Sequence, residues 1–249
     1  MIKQIKHEHS FISLMTELAN INPQLIFNNE DGLVSTKAME NQEKSICYFL
    51  NAPIDYFGFE SESLAVIDFK RLVSYYNTFT TAGKTETEDL PTLSVEYNND
   101  NAVIMYIKSD KTKSSFKHRL ASEDVIVKPR FNKIKFKSVD AKLVLTEDQV
   151  VEIDKMMRLT SADRIKWGYE GDTCNLTLFN TRTNDTWENK YLLSEEASKT
   201  FEMTTMAKGF GFLPTGGYNI EVSVEGIMSF EQKREDDISL VLYIAKTGG

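Results

Sequence analysis

An amphipathic helical pattern followed by a run of short alternating segments occurs twice in this chain, first from Ser10 and again from Thr146. A repeat of this kind restricts the fold to two similar helix-on-sheet domains in tandem. In the first helical pattern Phe11, Leu14, Met15 and Leu18 fall at i, i+3, i+4 and i+7. Ser10 is placed to cap it, and Asn22-Pro23 stops it. In the second, Thr146 and Gln149 have capping-box spacing, Leu145 is set to staple onto Val150, and Val150, Ile153 and Met157 form the buried stripe.

Strand patterns follow each helix, at 24–27, 33–36 and 45–50 in the first half and at 164–169, 174–179 and 187–192 in the second. Their alternation, with a polar outer face, predicts antiparallel sheets covered on one side. Each half then holds a further helix. Residues 68–77 place Phe69, Leu72, Val73 and Tyr76 on one face behind an Asp68 cap, before strands at 93–97 and 102–107. The counterpart is predicted around 204–210, weakened by Gly209 and Gly211, before strands at 218–224 and 238–245.

The length of 249 residues suits two domains, each with its own core. No apolar run approaches the roughly 18 residues of a membrane span, and the start Met1-Ile2-Lys3-Gln4 does not read as a signal peptide. An intracellular, cytoplasmic protein with no membrane partner is expected. Cys47 and Cys174 occupy similar places in the two strand sets and read as packed thiols.

Catalytic motifs are not apparent. His7-Glu8-His9 has no further ligand nearby in sequence, so no metal site is expected. The glycine-rich stretch 209–217 lacks the Gly-Lys-Ser/Thr ending of a phosphate loop and reads as a turn. Acidic groups at 86–89, 195–196 and 235–237 have no partnering His or Lys arrangement and read as solvated surface. The expectation is a protein that acts by binding and shape, with no enzymatic activity and no cofactor.

Charge gives that binding a direction. The net charge of -8 argues against coating nucleic acid with the whole surface. The predicted helices nevertheless carry Lys70, Arg71, Lys155, Arg158 and Lys208, with Lys3 and Lys6 on the strand before the first, against Glu17, Glu152 and Asp154.

The segments 18–22 with 32–39, 64–72, and 214–222 with 240–245, in this order between the helices, resemble a DNA polymerase sliding clamp. The likeness is nearest to clamps of tailed bacteriophages and more distant to proliferating cell nuclear antigen. It covers nearly the whole chain and consists of order and pattern more than of a signature. The fold implied is α+β, two tandem clamp domains with antiparallel sheets outside and two helices each lining a ring. The boundaries are 1–120, a connector at 121–137, and 138–249. Three such chains close a six-domain ring.

The resemblance implies a homotrimer that encircles double-stranded DNA without sequence preference. It tethers a DNA polymerase, is opened by an ATP-dependent clamp loader, and in a phage also supports late transcription in the host cytoplasm. Lys3, Lys6, Lys70, Arg71, Lys155, Arg158 and Lys208 would face phosphates. Edge strands at 114–119 and 187–192 would meet between subunits, with Phe116, Lys117, Glu188, Lys190 and Tyr191 at the seam. Met39, Val125, Val127, Tyr243 and Ala245 would border a pocket for the tails of partners. Two features depart from the pattern: the first helix lacks Lys and Arg, and 128–137 is unusually cationic, read as a strand with outward lysines. The stretches 80–91 and 194–200 read as long loops. The competing expectation is a β-rich trimeric virion structural or assembly protein that never encircles DNA.

Overall fold

The computed structural model describes residues 1–30, 32–40, 46–59, 63–81, 90–99, 101–126, 134, 136–234 and 237–247. It divides into two compact units, Met1–Ala38 with Phe49–Arg130 and Arg234–Ile238, and Met39–Tyr48 with Phe131–Lys233 and Ser239–Gly249. The fold is α+β with mostly antiparallel sheets.

The elements of the first half are β1 (Ile2–Gln4), α1 (Glu8–Ile21), β2 (Leu25–Glu30), β3 (Leu33–Met39), β4 (Ile46–Pro53), α2 (Ile54–Phe57), β5 (Ser63–Val66), α3 (Phe69–Thr81), β6 (Thr92–Asn98), β7 (Asn101–Ser109) and β8 (Ser114–Arg119). Strands order as β1-β6-β7-β8 and as β5-β2-β3-β4. Phe11, Leu14, Met15 and Leu18 of α1 are all buried. Phe11 is the hub of the core, with the rings of Phe27, Phe57, Phe59 and Phe69 at 5.2–5.8 Å. Helices α1 and α3 pack together, and α3 also lies on β7 and β8.

The second half contributes β9 (Ala141–Leu145), α4 (Glu147–Thr160), β10 (Arg164–Glu170), β11 (Thr173–Phe179), β12 (Thr186–Glu195), β13 (Phe201–Met206), α5 (Ala207–Phe210), β14 (Tyr218–Ser223), β15 (Ile227–Lys233) and β16 (Ser239–Ala245). Its orders, β9-β14-β15-β16 and β13-β10-β11-β12, repeat those of the first half strand for strand. The core gathers Trp167, Phe210 and Phe230, with centroids 6.0–6.4 Å apart. The buried indole of Trp167 donates to Thr205 Oγ1 at 3.1 Å.

Helix α4 begins as its sequence predicts: Gln149 N–H donates to Thr146 Oγ1, and Thr146 N–H donates to Gln149 Oε1. The Asp68 cap is also present, its carboxylate accepting from Arg71 N–H at 3.1 Å. Three expectations are corrected. Helix α1 starts two residues before Ser10, behind a left-handed His7 at φ 50°, and no side chain caps it. His7 instead stacks on Tyr56 at 4.4 Å. The second helix of the later half is a single turn, because Thr204–Met206 belongs to β13, paired along β10 from Lys166↔Thr204 to Arg164↔Met206. Residues 194–195 are strand, since β12 continues to Glu195 and pairs Leu193↔Leu143 with β9. Of the stretches at 80–91 and 128–137, residues 82–89, 128–133 and 135 lie outside the described residues.

Candidate nucleic-acid and assembly surfaces

Lys70 and Arg71 are exposed on the first turn of α3, with the Asp68 carboxylate engaged at the helix start. Arg71 lies 5.9 Å from the Tyr75 ring, whose other contact is a stack on Phe116 at 3.7 Å. Lys6 is exposed and donates to the Asp55 carbonyl at 3.4 Å, whereas Lys3 is half-buried on β1. Helix α1 offers hydroxyls in place of cations. A groove of about 300 Å³ against α3 is lined by His9, Ser13, Thr16 and Glu17 facing Tyr76 and Asn77. Glu17, the acid of this face, is bound by Arg234.

Helix α4 is different. Lys155 and Arg158 are exposed, but they share the helix with Glu147, Asp148, Glu152 and Asp154, and Arg158 is paired to Asp154 at 2.5 Å. Carboxylates thus outnumber cations on α4. Lys208 of α5 is held by Glu40 at 2.9 Å. Basic character is therefore strongest on α3 and beside Lys6, through the residue types of α4 and the pairing of Arg158 and Lys208.

Among the described residues, two strands carry unpartnered edges. β8 ends its sheet and pairs with β7 alone. β12 pairs with β11 from Thr186 to Leu192 and reaches β9 only at Leu193 and Glu195. On β8, Phe116 turns to the helix side against Tyr75, while Lys117 lies outside, 5.4 Å from the Tyr106 ring. His118, beside Phe116, has a buried Nε2 with no hydrogen-bond partner; burial lowers its pKa, against the raising effect of Asp68 and with that of Arg71. On β12, Glu188 and Lys190 are exposed. The Tyr191 side chain packs inward, only 4% exposed, its hydroxyl pKa pushed up to about 12 by burial, with a smaller contribution from Glu152. Only its backbone remains at the edge. Asn189 Oδ1 accepts from the Lys190 N–H at 2.8 Å, so this edge amide is already covered by a side chain.

The residues read as a tail-binding pocket are placed as follows. Met39 ends β3, and Tyr243 and Ala245 lie on β16, all three half-buried. The Tyr243 ring meets Phe136 edge-on at 6.2 Å. Val125 is 59% exposed on a 3-10 turn at Glu123–Val125, while its neighbour Ile126 anchors that turn by packing on Ile26 and Ala65. Val127 lies outside the described residues. Among the described residues, no group of His, Cys, Asp and Glu is arranged to hold a metal ion, and no helix is long and apolar enough to cross a membrane.

No protein-family model matches the sequence, and no curated protein matches it. Solved structures do. Proliferating cell nuclear antigen (PCNA) from Thermococcus kodakaraensis superimposes with a TM-score of 0.74 at 15% identity, covering 99% of this chain and 100% of that one. PCNA from Entamoeba histolytica gives 0.72 at 16% identity over 99% and 98%. A. fulgidus PCNA, solved with the C-terminal region of FEN-1, gives 0.71 at 11% over 100% and 99%. Superposition over nearly the full length of both chains shows that this chain has the sliding-clamp fold of PCNA.

Proposed function

We propose that this chain is a non-enzymatic sliding clamp, a homotrimeric ring that encircles double-stranded DNA and tethers a replicative polymerase as its processivity factor. The observation that carries the reading is the strand-for-strand duplication in a clamp fold that spans the entire chain. Two domains, 1–120 and 138–249 joined by 121–137, supply two of the six repeats that a ring needs. Lys3, Lys6, Lys70, Arg71, Lys155, Arg158 and Lys208 are its phosphate contacts, with Lys70 and Arg71 foremost. Flexible cations that touch only backbone give no sequence preference, so the ring slides. Retention is topological, so a nonspecific dissociation constant on the order of 0.1 mM suffices.

An ATP-driven loader opens the ring, and a pocket bordered by Met39, Val125, Val127, Tyr243 and Ala245 receives the tails of polymerase and other partners. The finer reading is a phage clamp in the host cytoplasm that also activates late transcription. Native mass over a concentration series is the first test, with three times 28.5 kDa expected. Processive synthesis by the cognate polymerase and loader on primed circular DNA is the second. A trimer that leaves processivity unchanged would instead indicate a virion structural protein, and a chain that stays monomeric or dimeric at high concentration would remove the ring.

A further inference from the structure

The hairpin of β7 and β8 runs against the charge balance of the chain. Residues 108–119 hold five Lys or Arg and one acid, Asp110, in a protein of net charge -8. Strand register decides which side these cations take. Met105 and Ile107 are fully buried and stand opposite His118 and Phe116, so that face meets α3. Ile104, Tyr106 and Lys108, opposite Arg119, Lys117 and Ser115, therefore face the other way. The ammonium groups of Lys108 and Lys117 flank the Tyr106 ring at 5.7 and 5.4 Å, and Lys113 is exposed on the turn between the strands.

This cluster is uncompensated. Lys142, Lys166, Lys208 and Arg234 each hold a carboxylate at 2.8–3.0 Å. Among the described residues, Lys108, Lys113, Lys117 and Arg119 are all exposed and hold none. Glu96 lies on the same face, opposite Ile104, but its carboxylate accepts the Tyr106 hydroxyl instead. Like charges gathered on one hairpin repel one another, and a negative ligand relieves that repulsion.

The neighbours of the cations identify the ligand. Tyr106 is only 8% exposed, so among the described residues of this face no open ring is available for a base to stack on. Ile2 of β1 is 54% exposed and begins a cross-strand row that runs through Glu96 and Ile104 to Arg119. Apolar side chains beside cations suit a peptide and offer nothing to a phosphate backbone. Lys117 and Arg119, two residues apart on one strand, recur at about 6.8 Å, as do alternate side chains of an extended peptide.

We infer that the face of the β1-β6-β7-β8 sheet turned away from α3 is a docking surface for an extended acidic segment of a partner protein. Asp or Glu at alternate positions meets Lys117 and Arg119, and an apolar side chain of the segment packs on Ile2 and Ile104. The surface lies within one sheet, and its occupancy does not depend on ring closure.

The probe is a labelled peptide of alternating glutamate and serine ending in two leucines, titrated by fluorescence anisotropy against the full chain. A glutamine counterpart controls for charge, and labelled single-stranded and duplex oligonucleotides test nucleic acid. The glutamate peptide is expected to bind, more weakly as salt rises, and the glutamine peptide is not. Lys108→Gln with Lys113→Asn and Arg119→Gln should weaken binding roughly tenfold, through three exposed pairs lost. Asparagine suits the left-handed φ of 52° at Lys113. Ile2→Ser should weaken the leucine-ended peptide about threefold and leave a peptide without leucines unaffected. Thermal unfolding checks each fold; should the triple variant unfold early, Lys113→Asn with Arg119→Gln reads the same loss at smaller size. Equal binding by the variants would place the peptide elsewhere and overturn the inference, as would no binding by the unaltered chain. An oligonucleotide that binds where the peptide does not, and loses affinity in the same variant, would assign the face to nucleic acid instead. Native mass reports on the trimer separately, whichever way the peptide result falls.

Discussion

Arg234 donates through Nη2 to both carboxylate oxygens of Glu17, at 3.1 and 3.0 Å, and so neutralises the one acid on the outer side of the later turns of α1. Burial raises the Glu17 pKa, and Arg234 opposes that rise by attraction and hydrogen bonding. Arg234→Ala leaves a half-buried carboxylate without its cation, a loss of about 1–3 kcal/mol in urea unfolding. Adding Glu17→Gln should return part of it. An unchanged midpoint in the single variant would show that solvent replaces the pair.

The distribution of charge separates the helices. Lys70→Glu with Arg71→Glu is expected to weaken nonspecific duplex binding strongly and to lower the steepness of its salt dependence by about one unit per lost contact. Lys155→Glu with Arg158→Glu should do less, because Arg158 is already committed to Asp154 and four acids lie on the same helix. Titration of a labelled duplex at several salt concentrations measures both. Equal losses would mean that α4 carries as much of the contact as α3.

Thr146→Ala removes one half of the α4 capping box and should cost about 1 kcal/mol. Urea denaturation measures it. Thr146→Ser, which keeps the acceptor, should restore most of the loss.

Asp140 ties three segments together, accepting from Val224 N–H at 3.0 Å and from Ser138 and Ser198 hydroxyls at 2.8 and 2.9 Å. The Val224 bond is the main reason that its pKa is lowered, with both hydroxyls and Lys199 assisting against desolvation. A folded value below the unfolded one, about 3.9, means that the stabilisation is complete above about pH 5 and is lost as pH falls through the folded value. Asp140→Asn should cost about 1–3 kcal/mol at pH 7 and flatten the acid limb of the stability curve. An unaltered acid limb would assign that limb to other carboxylates.

The parts of this fold that sequence reveals are those decided within a few residues. The Thr146–Gln149 box, the Asp68 cap and the apolar stripes of α1 and α4 needed nothing from elsewhere in the chain. Thr204–Met206 was misassigned as helix because its state is set by β10, some forty residues earlier in sequence, and by the Trp167 hydrogen bond to Thr205. His7 holds α1 from a left-handed conformation that no capping pattern announces. In the candidate surface, residue types marked the cations, but only geometry showed that Lys208 belongs to Glu40 and Arg158 to Asp154, leaving Lys70 and Arg71 exposed.

The side-chain cover that Asn189 places over the Lys190 amide bears on what this strand edge accepts. A newly made protein with bare backbone donors along a strand is a template for any extended segment it meets. Here that donor is already occupied, so an unrelated strand must first break a bond to gain one, and the exchange of equals yields little free energy. A stable match at this position must then draw its advantage from side chains that fit.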